Sequence, residues 1–421
     1  MTDKVAAFAE VLGEVLGQAR GLALPRAVEA LGLLDAAGRV LAEAVVADRD
    51  QPPFDRSTRD GYAVRAADVA AGRTLRVVGS ARAGESWQGA ALQEGEAIEI
   101  MTGAPLPAGA EAVLMVEHAV LAGEGFSVGE GRGLRAGENV VARGAEARRG
   151  DSLLPVGRVL EAAEVAVAAS CGAAMVQVFA KPRVAIVATG DELVELDIVP
   201  EAWQIRNSNS YALAALVQAE GGEAARLAAA RDTLGDLRAR IAEGREADLL
   251  LLSGGVSMGK YDLVEQVLAE CGAEFFFTGA LIQPGKPIVF GRLPRSSELA
   301  SQRVGESVEW TYFFGLPGNP VSTQVCFHLF VAPMLRALAG QIEIAPRFVE
   351  ARLAEDVKGG VRVTRFLPAE LVGAWDGVSV RVVGWQGSGD VAANARGNCY
   401  AVLPAGVKAF TKGETVRVLL R

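Results

Sequence analysis

Three turns in the second half of the sequence carry residue types that could bind a phosphate group. Each turn follows an apolar run that predicts a buried strand and precedes a segment with helical spacing. The turns supply glycines, hydroxyls and a helix start, in Thr189-Gly190, Ser253-Gly254-Gly255-Val256-Ser257 and Pro317-Gly318-Asn319-Pro320. Backbone N–H groups of such turns can approach an anion closely. One glycine turn alone is usually only a turn, but three of them together predict a phosphate-bearing ligand.

Charged side chains that accompany these turns favour a divalent cation beside the anion. The turn from Gln283 to Pro287 offers one ammonium group, that of Lys286, as a contact for the anion. Four acids would repel a phosphate, namely Asp191, Glu192, Asp232 and Asp262. Mg²⁺ resolves this conflict, because it binds carboxylates on one side and phosphate oxygens on the other. We therefore predict a Mg²⁺ site with Asp232 and Asp262 as ligands, although Asp262 with Glu265 also fits a helix capping box.

The composition excludes several other kinds of chemistry. The 421 residues include 42 Lys and Arg against 51 Asp and Glu, and the net charge of −9 argues against a nucleic-acid or anionic-membrane partner. Two histidines and four dispersed cysteines, without a CxxC pair, argue against a zinc or iron–sulfur site. Dispersed thiols and the absence of a recognisable signal peptide predict a cytoplasmic protein. The stretch that most resembles a membrane span, Val165 to Ala180, falls short of the ~18–20 apolar residues that a span needs.

The three turns must be positioned by one domain among several, since a single hydrophobic core stops growing near ~250–300 residues. Strands and helices alternate over 181–340, which predicts a doubly wound parallel sheet in an α/β unit. The carboxyl ends of such strands meet at one edge of the sheet, where ligands bind. We therefore expect the three turns to lie side by side.

The rest of the chain is predicted to form three further parts. Short β-rich runs broken by Gly and Pro occupy 47–150, which we call the arm, and 341–421, the C-terminal β domain. Helical spacing is found over 5–19 and 160–169 and is expected at about 26–45. The segments 1–46 and 151–180 are therefore predicted to form a helical connector. Polar residues over 296–309 predict an exposed hairpin extension.

Six motifs give the chain a specific family resemblance. They are the DAAGRVLA run from Asp35, PFDRSTRDGYA from Pro53, MTGAPLP from Met101, TGDEL from Thr189, SGGVSMGKYD from Ser253 and GLPGNPVS from Gly315. Their order along the chain resembles that of the molybdenum insertases, the MoeA and gephyrin E-domain family of molybdopterin molybdenumtransferases. Each motif is weak alone, but six in one order across nearly the whole chain are highly specific.

The resemblance implies an architecture, an activity and partners. It implies an elongated homodimer whose chains each combine the connector, the arm, a molybdopterin-binding α/β domain and a C-terminal β barrel. It also implies that molybdate is inserted into adenylylated molybdopterin with release of AMP, and that the arm reaches the partner's α/β domain. Other cofactor-biosynthesis proteins or molybdoenzymes are further expected partners.

The resemblance also places functional residues. The family's acids and hydroxyl fall on Asp60, Thr102, Glu192, Asp232 and Asp262, and its proline pair falls on Pro317 and Pro320. Reasoning from residue types alone supports the last three acids, whereas Asp60 and Thr102 would otherwise read as turn residues. Glu146 stands where the family commonly has Asp, and Gln283 where it often has Lys.

Two other classes of function remain open at this stage. One is an adenylyltransferase of the same pathway, or a nucleotide pyrophosphatase that shares the α/β fold. Such relatives would not need the arm motifs or the C-terminal β domain. The other is a non-catalytic, gephyrin-like scaffold, against which the complete set of acids argues.

Overall fold

The structure, a computed structural model, describes residues 5–25, 27–123, 125–129, 131–255, 263–295, 309–360, 362–375 and 377–421. Of the predicted site residues, Ser257 and Asp262 lie outside these ranges, as does nearly all of the predicted hairpin at 296–309.

The N-terminal segment contains one long helix and three short strands. Its elements are β1 (Val5–Ala6), α1 (Phe8–Arg20), β2 (Val28–Gly32) and β3 (Val45–Val46). The helix predicted over 5–19 is therefore confirmed, and it buries Val11, Val15 and Ala19 on one face. The helix predicted over 26–45 is wrong. A positive φ of 77° at Gly38 cannot belong to an α-helix, and β2 instead bonds to a distant strand described below.

The arm is a mixed six-stranded sheet with two short flanking strands. Its elements are β4 (Arg56–Ser57), β5 (Gly61–Val64), α2 (Ala66–Ala70), β6 (Leu75–Ala81), β7 (Glu96–Ile100), β8 (Ala112–Met115), β9 (Ala119–Ala122), β10 (Gly125–Val128) and β11 (Val140–Val141). The sheet order is β8-β5-β7-β6-β10-β9. Apolar side chains pack on both faces, so that Ala97 joins one core and its neighbour Ile98 the other.

The chain then returns to its N-terminal segment. The elements of this return are β12 (Ser152–Leu154), α3 (Ala162–Ser170) and β13 (Met175–Phe179). Strand β13 pairs antiparallel with β2, and β12 pairs with β3. The helix expected at 160–169 is confirmed as α3, and a small core that includes Leu41, Leu160 and Val178 joins the two halves of the connector.

The α/β unit is built on a six-stranded sheet. The unit as a whole contains the strands β14 (Arg183–Ala188), β15 (Leu193–Val194), β16 (Ile205–Arg206), β17 (Glu223–Arg226), β18 (Leu249–Ser253), β19 (Glu274–Phe277), β20 (Gly279–Ala280), β21 (Ile282–Gln283), β22 (Val289–Pro294) and β23 (Trp310–Leu316), of which six form the sheet. Its helices are α4 (Ser208–Ala219), α5 (Leu234–Gly244), α6 (Leu263–Glu270), α7 (Pro320–Cys326) and α8 (Ala332–Leu338), with a π-helical turn at Phe327–Val331.

The sheet order is β17-β14-β18-β23-β22-β19. The first four strands pair in parallel, and β22 pairs antiparallel with both β23 and β19. Along β14, Val184 and Ile186 face one core, shared with α1, α4 and α8, whereas Ala185 and Val187 face the core formed with α5 and α6. Helices thus cover both faces, as the alternating pattern predicted, and the predicted fold is confirmed with an antiparallel edge added.

The C-terminal region closes into a barrel. Its elements are β24 (Phe348–Leu353), β25 (Val357–Gly360), β26 (Thr364–Ala374), β27 (Gly377–Val382), α9 (Val391–Arg396), β28 (Cys399–Leu403), β29 (Val407–Phe410) and β30 (Thr415–Leu420). The order β26-β27-β24-β30-β28 returns to β26, which closes five strands. Strand β21 of the α/β unit adds to β26 in parallel, and therefore ties the two units together.

One helical stretch of the described chain, 320–338, is long and apolar enough to cross a membrane by length and composition. The protein itself buries 83% of its most apolar window, as expected for the core helix that α7 and α8 form.

Candidate active site

The three predicted turns lie side by side at the carboxyl edge of the sheet. The last residues of β14, β18 and β23 stand in register, with Ala188 opposite Ser253 and Ser253 opposite Leu316. The turns continue this pairing, because the Thr189 N–H donates to the Ser253 carbonyl (2.9 Å) and the Gly254 N–H donates to the Leu316 carbonyl (3.0 Å). The structure therefore brings the predicted turns together.

The middle turn requires glycine at two consecutive positions. Gly254 and Gly255 have φ angles of 98° and 63°, and a Cβ on either residue would lie within 3 Å of Thr189 atoms. The backbone can approach closely only because both residues lack a side chain. The Thr189 hydroxyl is buried there without a hydrogen-bond partner among the described residues. A buried unpaired hydroxyl beside open glycine backbone is a natural contact for a polar ligand.

The third turn starts helix α7. Pro320 occupies the first turn of the helix and Asn319 is its N-cap residue, as predicted, although the Asn319 side chain accepts no capping hydrogen bond. The Thr323 hydroxyl bonds back to the carbonyls of Pro317 and Asn319. This bonding fixes the path of the turn and leaves the Asn319 amide without a capping role.

One residue that the sequence analysis missed connects two of the turns. Asn209, in the first turn of α4, donates from Nδ2 to the Ser253 hydroxyl (2.9 Å) and to the Gly318 carbonyl (2.7 Å). The same amide lies 3.4 Å from the Thr323 hydroxyl. Its Oδ1 is buried without a partner in the described part of the chain. The NSNS run from Asn207 to Ser210 could have signalled this role, because consecutive amide and hydroxyl side chains open a helix at the same sheet edge.

The predicted carboxylates form a cluster beside the first turn. The Asp232 N–H donates to Asp191 Oδ1 (3.3 Å), and Glu192 folds back over Gly190. Partial burial raises the pKa of the Asp232 carboxyl, and the negative charges of Asp191 and Glu192 raise it further. Mg²⁺ prefers oxygen ligands, and the neighbouring carboxylates of Asp191, Glu192 and Asp232 offer such oxygens.

The described residues supply only part of a metal site. Within those ranges, no group of three or more His, Cys, Asp or Glu side chains is arranged to hold a metal ion. Asp232 is the one described member of the predicted ligand pair, because Asp262 lies outside the ranges. Mg²⁺ binding therefore stays a prediction.

The turn with Lys286 lies at the same edge of the sheet. Strand β22 runs antiparallel to β23 and begins at Val289 opposite Gly315, so the preceding turn sits near the end of β23. A Cβ on Gly285 would lie 2.6 Å from Cys326 Sγ, which shows how closely the turn packs on α7. The Lys286 side chain is exposed and makes no hydrogen bond to other described residues.

The arm holds the other two predicted residues as a bonded pair. Asp60 Oδ1 accepts hydrogen bonds from the Thr102 N–H and from the Thr102 hydroxyl, both at 2.7 Å. The Thr102 N–H, followed by the hydroxyl, lowers the pKa of the Asp60 carboxyl. Antiparallel pairing of β5 with β7, which sets Gly61 opposite Ile100, brings the two residues together across 42 positions.

A neighbouring ion pair involves one of the positions that depart from the family pattern. Glu146 accepts from Arg56 at 2.7 Å, and Arg56 belongs to the same motif as Asp60. Both side chains are largely exposed, so the pair contributes little to stability. Glu146 thus links its own loop to strand β4 of the arm.

Comparison with known proteins decides the family. Sequence models of the MoeA N-terminal region (domain I and II), of a probable molybdopterin binding domain and of the MoeA C-terminal region (domain IV) match residues 6–172, 185–337 and 350–420. A molybdopterin molybdenumtransferase of Staphylococcus aureus (strain COL) is 34% identical over 387 residues, which cover 90% of this chain and 88% of that protein. The chain belongs to the molybdopterin molybdenumtransferase family.

Two further relatives agree with this membership. A molybdopterin molybdenumtransferase of Nostoc sp. (strain PCC 7120) is 35% identical over 93% of this chain and 88% of its own length. The crystal structure of a molybdopterin biosynthesis MoeA protein from Pyrococcus horikoshii OT3 is 28% identical, with a TM-score of 0.78 over 99% of this chain and all of that one. The predicted family and fold, and the predicted transferase class, are thereby confirmed.

The predicted residues of this molybdopterin molybdenumtransferase family member fall into two separate groups in the single chain. The first comprises the three turns, the Glu192 and Asp232 carboxylates and the Lys286 turn, all at one edge of the α/β sheet. The second is the pair of Asp60 and Thr102 in the arm. No hydrogen bond or ion pair between described residues joins the second group to the first.

Proposed function

We propose that this protein inserts molybdate into adenylylated molybdopterin and releases AMP. In the net reaction two Mo–S bonds form at the dithiolene, two Mo–O bonds break, and the phosphate anhydride is cleaved. One displaced oxygen balances the cleavage and the other leaves as water, so neither an oxidant nor a reductant is needed. The observation that carries the proposal is the register of the three turns, which places open glycine backbone next to a carboxylate cluster in a member of this family.

Each group at the sheet edge has a role in this reaction. The backbone of Gly254 and Gly255, with the hydroxyls of Thr189, Ser253 and Ser257, would hold the phosphates of the substrate. The turn from Pro317 to Pro320, with Gly318 fixed by Asn209, would form the opposite wall. Lys286 would offer a charge to molybdate or phosphate.

The carboxylates have a different role, which is to hold Mg²⁺ through Asp232 and Asp262, with Glu192 nearby. When bound, the ion would neutralise the charge that develops on the phosphate oxygens. The raised pKa of the Asp232 carboxyl supports this role, because a cation would relieve the repulsion that raises it.

We further propose that the protein acts as a homodimer and that the arm of one subunit completes the site of the other. The separation of Asp60 and Thr102 from the sheet edge within one chain supports this arrangement. The boundaries of the four parts, cytoplasmic location and the transfer of product to molybdoenzymes or other cofactor-biosynthesis proteins also remain proposals. Four cysteines that are free thiols fit the proposed compartment.

The test is to incubate the purified protein with adenylylated molybdopterin, molybdate and Mg²⁺. AMP release and the molybdenum content of the pterin are measured together, and we expect them to rise in equal amounts. Omitting molybdate or chelating Mg²⁺ should stop both. AMP release without metal uptake would instead indicate a nucleotide pyrophosphatase, and no reaction by folded protein a scaffold. In a separate incubation with ATP and molybdopterin that is not adenylylated, consumption of ATP would indicate an adenylyltransferase.

A further inference from the structure

A large cavity lies at the opposite edge of the α/β sheet from the candidate active site. Its volume is about 740 Å³, within the ~300–1,000 Å³ that small-molecule sites occupy. Lys181 and Gly221 in its wall come just before β14 and β17, and therefore mark the amino ends of the parallel strands. Gly38 and Arg39 of the connector and Arg421 after the barrel complete the wall. We call it the junction cavity, and none of the predicted site residues lines it.

The wall of the junction cavity is rich in positive charge. Five cationic side chains line it against two carboxylates. The cations are Arg39, Lys181, Arg336, Arg347 and Arg421, and the carboxylates are Glu161 and Glu220. This excess is opposite in sign to the net charge of −9 of the whole chain. A cavity that concentrates one sign of charge attracts ligands of the other sign.

Part of this positive charge is not neutralised by the protein. Arg336 forms a bidentate ion pair with Glu220, with N–O distances of 2.7 and 2.8 Å. Arg39 likewise forms an ion pair, with Glu29 outside the cavity wall, at 2.8 Å. Lys181 and Arg347, however, have no side-chain hydrogen bond or ion pair with any other described residue. These two side chains are available to a ligand.

The guanidinium of Arg421 adds to the unbalanced charge. It donates to the carbonyls of Gly397 and Asn394 and to the Asn394 amide oxygen, all of which are neutral. It also lies over the ring of Tyr400, 4.6 Å from the centroid. An aromatic face and amide oxygens orient a guanidinium without cancelling its charge.

The pKa of His328, which also lines the cavity, is affected by the same positive charges. The side chain is 8% exposed. Burial lowers the pKa of His328 to about 4, and the nearby charges of Arg421 and Arg336 contribute to this shift. The ring of Tyr400 lies 6.1 Å away, and Gln324 and Glu220 line the same cavity. The imidazole is therefore neutral near pH 7, and an anion placed beside it would raise its pKa.

We propose that the junction cavity binds a phosphate-bearing small molecule, with Lys181 and Arg347 as its direct contacts. Phosphate groups match this wall because they offer several oxygens and more than one negative charge to ammonium and guanidinium donors. The cavity belongs to the α/β unit, the connector and the barrel at once. Its ligand would consequently link three parts of the chain at the edge of the sheet remote from the candidate active site.

The primary test is calorimetric titration of the full-length protein with inorganic pyrophosphate in the absence of Mg²⁺. We expect saturable binding that the double variant Lys181→Met, Arg347→Met weakens by about tenfold or more, since two charge-assisted contacts are lost. Two single variants serve as matched controls. Lys408→Met removes an exposed charge from the barrel, and Lys286→Met removes the cation of the candidate active site. Lys408→Met should bind pyrophosphate as the wild type does, and any binding that Lys286→Met removes belongs to the candidate active site rather than to the junction cavity.

A second readout locates the bound anion. The chain has only two histidines, so ¹³C labelling at histidine Cε1 gives two signals, which His118→Gln assigns. Pyrophosphate should shift the His328 signal with the affinity found by calorimetry and leave the His118 signal in place. A parallel titration with AMP shows whether a nucleotide phosphate binds through the same contacts. Binding of either probe that depends on Lys181 and Arg347 supports the proposal.

Three results would overturn it. They are no binding of either probe, binding that Lys286→Met abolishes and the double variant does not, and binding that leaves the His328 signal unmoved. None of these results bears on molybdate insertion, which is measured by AMP release and molybdenum uptake.

Discussion

Asp60 in the arm and Asp232 in the α/β unit are both candidate catalytic carboxylates, and their surroundings shift their pKa values in opposite directions. Asp60 accepts two short hydrogen bonds from Thr102, which favour its charged form. Asp232 is partly buried and stands next to Asp191 and Glu192, and both the burial and these negative charges disfavour its charged form. One carboxylate is already satisfied by donors of the protein, whereas the other lacks a positive partner.

This difference suggests different roles for the two acids. The Thr102 hydroxyl donates its proton to the Asp60 carboxylate. The lone pairs of the Thr102 hydroxyl oxygen are therefore left for a ligand. At Asp232, burial and the neighbouring negative charges outweigh a hydrogen bond from the Asp191 backbone, and this carboxylate suits a cation. The same residue type can therefore serve as a positioning group in one region and as a metal ligand in another.

The largest expected change in activity comes from a substitution in the acid cluster of Asp191, Glu192 and Asp232. Asp232→Asn should lower AMP release by about 10²–10³-fold, because one electrostatic contact to the Mg²⁺ and phosphate is lost. Circular dichroism should show an unchanged fold. Glu246→Gln is the matched control, because it removes an exposed charge at the amino edge of the same sheet and should leave turnover unchanged. Wild-type turnover of Asp232→Asn would contradict a role in metal binding.

A smaller effect is expected for the link between the turns. Asn209→Asp keeps the shape of the side chain but removes the donors to Ser253 and Gly318, so the turns lose their relative position. Turnover should fall about tenfold or more, with a loss of ~1–3 kcal/mol in stability from unsatisfied partners.

The matched control for this variant is Asn398→Asp in the barrel. The Asn398 amide bonds to the backbone of Leu371 in a similar way, at 2.7 and 3.1 Å. Asn398 is exposed and its replacement removes a single donor, so this variant should lose less stability and keep full turnover. If both variants lose stability and both keep turnover, Asn209 only supports the fold.

The third prediction asks whether the two regions act in one site. Asp60→Ala and Asp232→Ala homodimers should each be inactive, and the two variants are unfolded and refolded together. Random exchange makes about half of the dimers mixed, each with one intact site of two, so about a quarter of wild-type activity should return. The measurement is AMP release by dimers shown by mass spectrometry to contain both chains. Mixed dimers that remain inactive would place both acids in the site of a single chain.

The two regions also differ in how far the sequence could predict them. The sheet edge was predictable, because apolar runs such as Leu249–Leu252 can only be buried strands and their glycine turns must then gather at one edge. The contact of Asp60 with Thr102 was not, since it depends on the pairing of β5 with β7 across 42 positions, and only the resemblance pointed to it. Asn209 was missed for a related reason, because its partners lie on two other turns.

The helix predicted over 26–45 is wrong for one local and one long-range reason. Its residues have adequate helical propensity, but Gly38 adopts a left-handed conformation and β13 offers β2 a complete set of backbone partners. Strand pairing with a segment more than 140 residues away cannot be read from local spacing, and tertiary context overrides propensity in such cases.

The smallest expected effect is a change in thermal stability when Asp60 or Asp232 is replaced by Asn. It tests most directly whether the two carboxylates differ in their surroundings. At pH 7 and without Mg²⁺, Asp232→Asn should raise Tm and Asp60→Asn should lower it, each by about 1–2 °C, because exposed charges contribute little. The first variant removes a repelled charge, and the second weakens a charge-assisted bond from Thr102. Differential scanning calorimetry of both variants and the wild type measures the two signs.

The pH dependence of these two shifts follows from the pKa directions. The pKa of the Asp60 carboxyl is lower in the folded protein than its usual value of 3.8, so its stabilisation is present above that value and is lost as pH falls through the folded pKa. The pKa of the Asp232 carboxyl is raised above 3.8, so its destabilisation is absent below that value and develops as pH rises through the folded pKa. The gain in Tm from Asp232→Asn should thus vanish in acid before the loss from Asp60→Asn does. Added Mg²⁺ should stabilise the wild type more than Asp232→Asn. Tm shifts of the same sign in both variants at pH 7 would show that the two carboxylates do not differ in the way described.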